Sequence, residues 1–222
     1  LEDCADCFGV ACIEEAIEIR DSGIDKSSIL LMEGIFELSE ISLIEKYNLI
    51  VTVCNSQQLQ WILDNEFSSP IDVFVKYDSG MGRLGFQGDE FTSAINLLEE
   101  NKNIGNITLM THFSSADNLE DATTNTQIND FNNALPSKNY HTSLANSAGI
   151  MGWSESHNNF IRPGIMLYGS SPFSDKSHLD KLTPAMTLSS ALISIKDFKA
   201  GQSIGYGNRY ICKQNMTIGV AS

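Results

Sequence analysis

Ile71-Asp72-Val73-Phe74-Val75-Lys76-Tyr77 is a run of strand formers, and Asp78-Ser79-Gly80-Met81-Gly82-Arg83-Leu84-Gly85 follows it as a polar, glycine-rich loop. A helical pattern then occupies residues 89–101. Strand, polar loop and helix make one β/α unit, and the unit recurs in both directions along the chain. Upstream, residues 7–12 are predicted as a buried strand. The helix after it puts Ile13, Ala16 and Ile17 on one face, turns Glu14, Glu15 and Glu18 outward, and closes at Gly23. Strands are predicted at 29–32 and 49–54, with helices at 38–47 and 57–66. Downstream come strands at 107–112 and 140–145, with helices at 124–135 and 148–153. A seventh strand is predicted at 160–162, its apolar run continuing through 165–168 beyond Pro163-Gly164.

Seven parallel-type strands separated by helices predict an α/β fold, a (β/α)8 TIM-like barrel lacking its first strand, because such a barrel closes with eight. On that count the chain begins inside the helix after strand one. An open doubly wound sheet is the competing architecture. After Pro184 the helical period disappears. Residues 186–195, 204–207 and 216–220 are rich in strand formers, and Lys199-Ala200-Gly201-Gln202 has turn composition. The expected division is a barrel over 1–182 and the start of a mainly-β C-terminal domain over 183–222.

The 222 residues carry 14 Lys and Arg against 28 Asp and Glu, a formal net charge of −14. A phosphate backbone or an anionic lipid surface is repelled by that field, so neither nucleic acid nor membrane is expected as a partner. No apolar stretch is long enough for a transmembrane helix, and Leu1 to Asp6 do not resemble a signal peptide. Five cysteines at irregular spacing argue against a disulfide framework. Cys4 and Cys7 form a C-x-x-C with no second pair at zinc spacing, so a structural role and no metal are expected. A reducing, cytoplasmic compartment follows.

Barrels of this kind react at the carboxyl ends of their strands. The polar residues there are Lys76, Asp78, Ser79 and Arg83, then Thr111 and His112, then Asn146 and Ser147, and last Arg162 with Gly164. Each alone could be a satisfied strand-end group; together they point to a site. The Gly80–Gly85 loop fits G-x-G-x-x-G by count but lacks the surroundings of a dinucleotide loop. Asn146-Ser147 at a helix start, with Gly164 in the next loop, offers backbone N–H groups to a phosphate.

These segments resemble the alanine racemase family, a fold-type III group dependent on pyridoxal 5′-phosphate. The resemblance rests on Val75–Gly85, Thr111-His112-Phe113, Leu144-Ala145-Asn146-Ser147-Ala148, Ile161–Gly169 and Ile204-Gly205-Tyr206-Gly207, and Leu31–Phe36 resembles proteobacterial members. It spans essentially the whole chain, in order. It implies interconversion of L- and D-alanine, supplying D-alanine for peptidoglycan, and a homodimeric enzyme. Arg162 matches the arginine at the cofactor's pyridine nitrogen. Asn146, Ser147, Gly164 and Ile165 match the cofactor-binding elements, the phosphate falling to Ser147 and the backbone of Gly164 and Ile165. Arg83 matches the arginine near the phenolic oxygen and the substrate carboxylate. Lys76 matches a lysine carbamylated in some members, and His112 the histidine bonded to a catalytic tyrosine. The family's cofactor-bearing lysine would precede Leu1, and its catalytic tyrosine would follow Ser222. No proton-transferring residue is therefore expected within these residues, and the 222-residue chain alone is expected to be inactive. A non-catalytic cofactor-binding barrel and a related decarboxylase are the alternatives. Decarboxylases of this type place an acid at the pyridine nitrogen, where this chain has Arg162.

Overall fold

In the computed structural model, which describes residues 4–175 and 181–222, six parallel strands form one sheet in strict chain order. They are β1 (Cys7–Val10), β2 (Ser28–Leu31), β3 (Leu49–Val53), β4 (Ile71–Lys76), β5 (Ile104–Met110) and β6 (His141–Ser143). Six helices follow them in turn: α1 (Ile13–Asp21), α2 (Ile41–Lys46), α3 (Ser56–Leu63), α4 (Gly88–Glu100), α5 (Thr123–Ala134) and α6 (Ser147–Gly152). A doubly wound sheet reverses its strand order at a switch point. This order never reverses, and the sheet curls as part of a barrel wall.

Strand alternation sorts the side chains into two layers. Ile29, Leu31, Val51, Val53, Val73, Val75 and Leu109 pack in one core with helix residues Ile44, Ile62, Phe91, Leu98 and Phe131. Helix α4 contributes Phe91, Ala94, Ile95 and Leu98, an i, i+3, i+4, i+7 face, and every one is buried. Each fully buried ring or branched chain of this kind is worth roughly 1.5–3 kcal/mol. The alternate residues Leu30, Phe74 and Met110 form a separate inner cluster with Cys7, Met32, Ile50 and Phe160. Lys76 follows Phe74 by two residues, so the strand's pleat carries it onto that inner side at the carboxyl end, and it is only 4% exposed.

Several expectations change. The seventh strand reduces to a single parallel bridge, Ser143 with Phe160. Phe160 N still donates to Thr142 O at 3.1 Å and Arg162 N to Ala145 O at 2.9 Å, so the segment runs alongside β6. With β6 only three residues long and Pro163 next, the ladder has no room to lengthen. The apolar run 165–168 is not strand but a 3-10 turn, with Ile165, Leu167 and Tyr168 exposed. Gly169 closes it at φ +80°. Strand β1 is half-buried, with only Val10 fully inside, because it forms one edge of the sheet. The expected helix end before it falls largely on residues 1–3, outside the described ones.

The chain separates into two compact units, Leu1–Thr183 and Pro184–Ser222. In the second, β7 (Leu192–Phe198) pairs antiparallel with β10 (Met216–Ala221), and β8 (Ser203–Ile204) pairs with β9 (Tyr210–Ile211). The strand expected at 186–195 begins only at Leu192, since the residues before it lack a ladder partner. Gly201 takes φ +87° in the expected turn, and Tyr206–Asn208 is a 3-10 turn rather than strand. Strand β9 carried no sequence signal at two residues' length. Among the described residues no helix is long and apolar enough to cross a membrane, and no group of His, Cys, Asp and Glu could hold a metal ion. All five cysteines are free.

Candidate functional site

Arg162 lies where the chain leaves the bridge beside β6, and its guanidinium turns back under the strand ends. Nη1 donates to Ser143 Oγ at 2.6 Å, and Nη2 to Thr111 O at 2.7 Å and Leu144 O at 3.1 Å. Nη2 also approaches His112 Nδ1 at 3.4 Å. Its Nε is buried without a hydrogen-bond partner among the described residues. Burial pulls the guanidinium down to about 10, which leaves it charged at neutral pH.

Four cationic or basic groups share this end of the barrel. Burial holds the His112 imidazole at about 4, with Arg162, Lys76 and Arg83 adding repulsion. Burial also draws the Lys76 ammonium below its usual range. Arg83 and Arg162 push the same way, and Cys54 and Glu33 oppose them. A cluster of positive charge inside a chain of net charge −14 is costly unless anions meet it. The chemistry that fits is a ligand with several anionic oxygens.

The tautomer of His112 follows from its neighbour. Arginine only donates, so Nδ1 accepts from Nη2 and the ring proton sits on Nε2. Because the folded ring stays neutral down to about 4 while an unfolded histidine protonates near 6.5, the unfolded chain binds more protons between those values. His112 therefore contributes stability that is complete above about 6.5 and drains as the pH falls toward about 4. His112→Gln should lose less stability than the wild type between pH 7 and pH 4.5 in urea unfolding. Equal losses would contradict a buried neutral imidazole.

Ser147 and Gly164 meet across the neighbouring loop. The buried Ser147 Oγ accepts from Gly164 N at 2.9 Å and from Met166 N at 3.4 Å. Asn146 caps α6, its Oδ1 accepting from Gly149 N at 2.9 Å. A Cβ on Gly164 would lie 3.7 Å from Ser147 Oγ, inside this cradle. Ile165 follows on the exposed start of the 3-10 turn.

Arg83 rides an exposed loop that is tied back on itself. The Asp78 carboxylate accepts from Gly80 N at 3.1 Å, Gly82 N at 2.9 Å and Gln87 Nε2 at 3.1 Å. Partial burial alone would raise this carboxyl, but those hydrogen bonds outweigh it and hold it low. Two of the loop's amides, those of Gly80 and Gly82, are thus used internally. Sequence reasoning passed over Ser143, which is fully buried under Arg162, and Gln127 on α5. A serine in a strand gives no signal of its own. A glutamine at Gln127, on the same helical face as Ile128 and Phe131, was the available clue.

A cleft of about 530 Å³ lies elsewhere, at the amino ends of β5 and β6. Three of its polar side chains pair with one another: Tyr140 Oη donates to Glu99 Oε1 at 2.6 Å, and Lys138 pairs with the same oxygen. In the cationic cluster, by contrast, the buried Arg162 Nε has no hydrogen-bond partner among the described residues.

The N-terminal domain family of alanine racemase matches residues 1–172, and the C-terminal domain family matches 185–222. The catabolic alanine racemase of Pseudomonas aeruginosa is 40% identical over 220 residues, which is 98% of this chain and 61% of that protein. The crystal structure of the biosynthetic alanine racemase from Pseudomonas aeruginosa superposes with a TM-score of 0.87 at 37% identity, covering 99% of this chain and 62% of that one. A structure of alanine racemase from Bartonella henselae, described with covalently bound pyridoxal phosphate, shares the fold at 21% identity and a TM-score of 0.72, covering 99% and 61%. The chain spans about 62% of the length of the relatives it matches.

Proposed function

The chain belongs to the alanine racemase family, and on that premise we propose that the protein containing it interconverts L- and D-alanine with pyridoxal 5′-phosphate. The observation that carries the reading is the buried Nε–H of Arg162, unpartnered among the described residues, beside a His112 ring that also feels Lys76 and Arg83. An orphaned charged donor in a desolvated site calls for an acceptor. A pyridine nitrogen with a free lone pair meets that need, because arginine does not give up its proton.

Arg162 would face that nitrogen. Ser147 and the backbone of Gly164 and Ile165 would take the phosphate, with Asn146 fixing the start of α6. When bound, the cofactor supplies an electron sink that acidifies the substrate Cα–H. The residues of this chain bind, orient and hold charge. Arg83 would attract the alanine carboxylate, and Lys76 would support it if carbamylated. His112, with its proton on Nε2, would donate to the oxygen of the family's catalytic tyrosine and favour its ionised form. A guanidinium at the ring nitrogen keeps that sink weak, which favours return of the proton over transamination. The proton-transferring lysine and tyrosine would come from outside residues 1–222. We place the protein in the cytoplasm as a homodimer. Exposed Leu188, Ile193, Ile195 and Tyr206 in the second unit support further burial there.

The complete protein, supplied with the cofactor, should form D-alanine from L-alanine at a rate of about 1–10³ s⁻¹, followed with a D-amino-acid oxidase couple. No D-alanine above the uncatalysed rate would reject the reading.

A further inference from the structure

Helix α5 turns Thr124, Gln127, Ile128 and Phe131 toward the sheet. Packing alone would be served by an apolar residue at each of these positions. Gln127 is instead a buried amide, 1% exposed, with every capacity of its carboxamide in use. Oε1 accepts from Ser114 N at 3.0 Å and Ser114 Oγ at 3.2 Å. Nε2 donates to His112 O at 3.3 Å and Ser79 Oγ at 3.4 Å. Ser79 Oγ in turn shares a 2.7 Å hydrogen bond with Thr111 Oγ1.

The backbone gripped in this way lies just past the end of β5. Thr111 N still reaches Ser143 O, at 3.2 Å, but no ladder continues beyond it. That same backbone carries the carbonyl on which Arg162 rests and the imidazole it approaches. We propose that Gln127 is a positioning residue of the site: from outside the barrel it fixes the Thr111–Ser114 backbone, and through it the relative placement of His112 and Arg162. The proposal rests on the site assignment above.

A group that only stabilised the fold would change the melting temperature and leave the folded His112 environment intact. A positioning group sets that environment. Gln127→Met keeps length and apolar contact while removing all four hydrogen bonds. Ser79→Ala cuts only the arm that reaches Thr111. The test is the titration of His112 in the complete protein as purified, carrying ¹³C-labelled histidine, with its signal assigned by loss in His112→Gln. Arg162, Lys76 and Arg83 are the charged groups around this ring, and burial with their repulsion holds it near 4. Gln127→Met should let the ring move and hydrate, raising its midpoint by about one unit or more toward 6.5. Ser79→Ala should give a smaller rise. The acid limb of kcat/KM should shift with it, with kcat lowered more than KM is raised.

His112 unmoved in both variants would overturn the proposal. Should Gln127→Met fail to fold, Ser79→Ala decides alone: a rise supports the role, and none rejects it. The titration needs no turnover. A wild type that forms no D-alanine would defeat the racemase reading while leaving this measurement to stand or fall separately.

Discussion

Arg162→Ala in the complete protein should lower D-alanine formation by about 10²–10³-fold, the usual cost of removing one preorganised donor from a reacting centre. It should also shed the cofactor on dialysis. The size of the effect follows from how the guanidinium is held. Ser143 Oγ, Thr111 O and Leu144 O fix its two outer nitrogens, which leaves Nε without a partner among the described residues and as the nitrogen proposed to meet the ligand. Alanine removes that donor and strands three buried acceptors, each worth about 1–3 kcal/mol. Relief of the repulsion between Arg162 and Lys76 offsets part of the loss, so the fold should survive with a lower melting temperature. Arg162→Lys separates charge from geometry. A lysine restores the positive charge as a point without the planar fork, and should recover little activity. Absorbance of retained cofactor, turnover and thermal unfolding together separate the roles. Unchanged retention and unchanged turnover in Arg162→Ala would remove the guanidinium from the site.

The barrel was legible where its period was strong. Residues 71–77 and 89–101 each expose one apolar pattern, and β4 and α4 lie there within a residue or so at each end. The strand ends were legible too, because a buried strand that finishes in Lys76 or Thr111-His112 has placed costly polarity where only function or strain would tolerate it. Residues 160–168 misled because their composition is apolar while their environment is not. Strand content needs a ladder partner, and the three residues of β6 provide one bridge. Gln127 and Ser143 stayed hidden for a different reason. Each acts through partners distant in sequence, Ser143 through Arg162 and Gln127 through Ser79 and His112, and no local spacing encodes such a meeting. The second unit was legible only as β-rich, since strands as short as Ser203–Ile204 and Tyr210–Ile211 leave no period to read.

Gly85→Ala should destabilise the barrel unit by about 4 kcal/mol and cut kcat/KM for alanine by about 10²-fold, even under conditions where the variant is folded. Gly85 sits at φ +126°, and a Cβ there would come 2.7 Å from Asp78 N, 2.9 Å from Tyr77 C and 3.0 Å from Lys76 O. All three are backbone atoms at the end of β4, and they cannot swing aside as a side-chain tip would. The segment is also clamped: Phe86 N donates to Lys76 O at 2.8 Å, and Asp78 N to Phe86 O at 2.9 Å. Relief of the clash must therefore break that clamp or move the loop, and Arg83 moves with the loop. With Arg83 in its proposed place at the substrate carboxylate, a displacement of the order of 1 Å is enough for the rate loss. Gly82→Ala is the matched control. It too has positive φ, at +70°, but nothing lies within 4 Å of its added Cβ. It should cost only about 1–2 kcal/mol, the ordinary penalty of the left-handed conformation. Urea unfolding and steady-state kinetics on the two variants side by side distinguish contact from conformation. Equal losses in both would mean that the clamp on Gly85 does not set the position of Arg83.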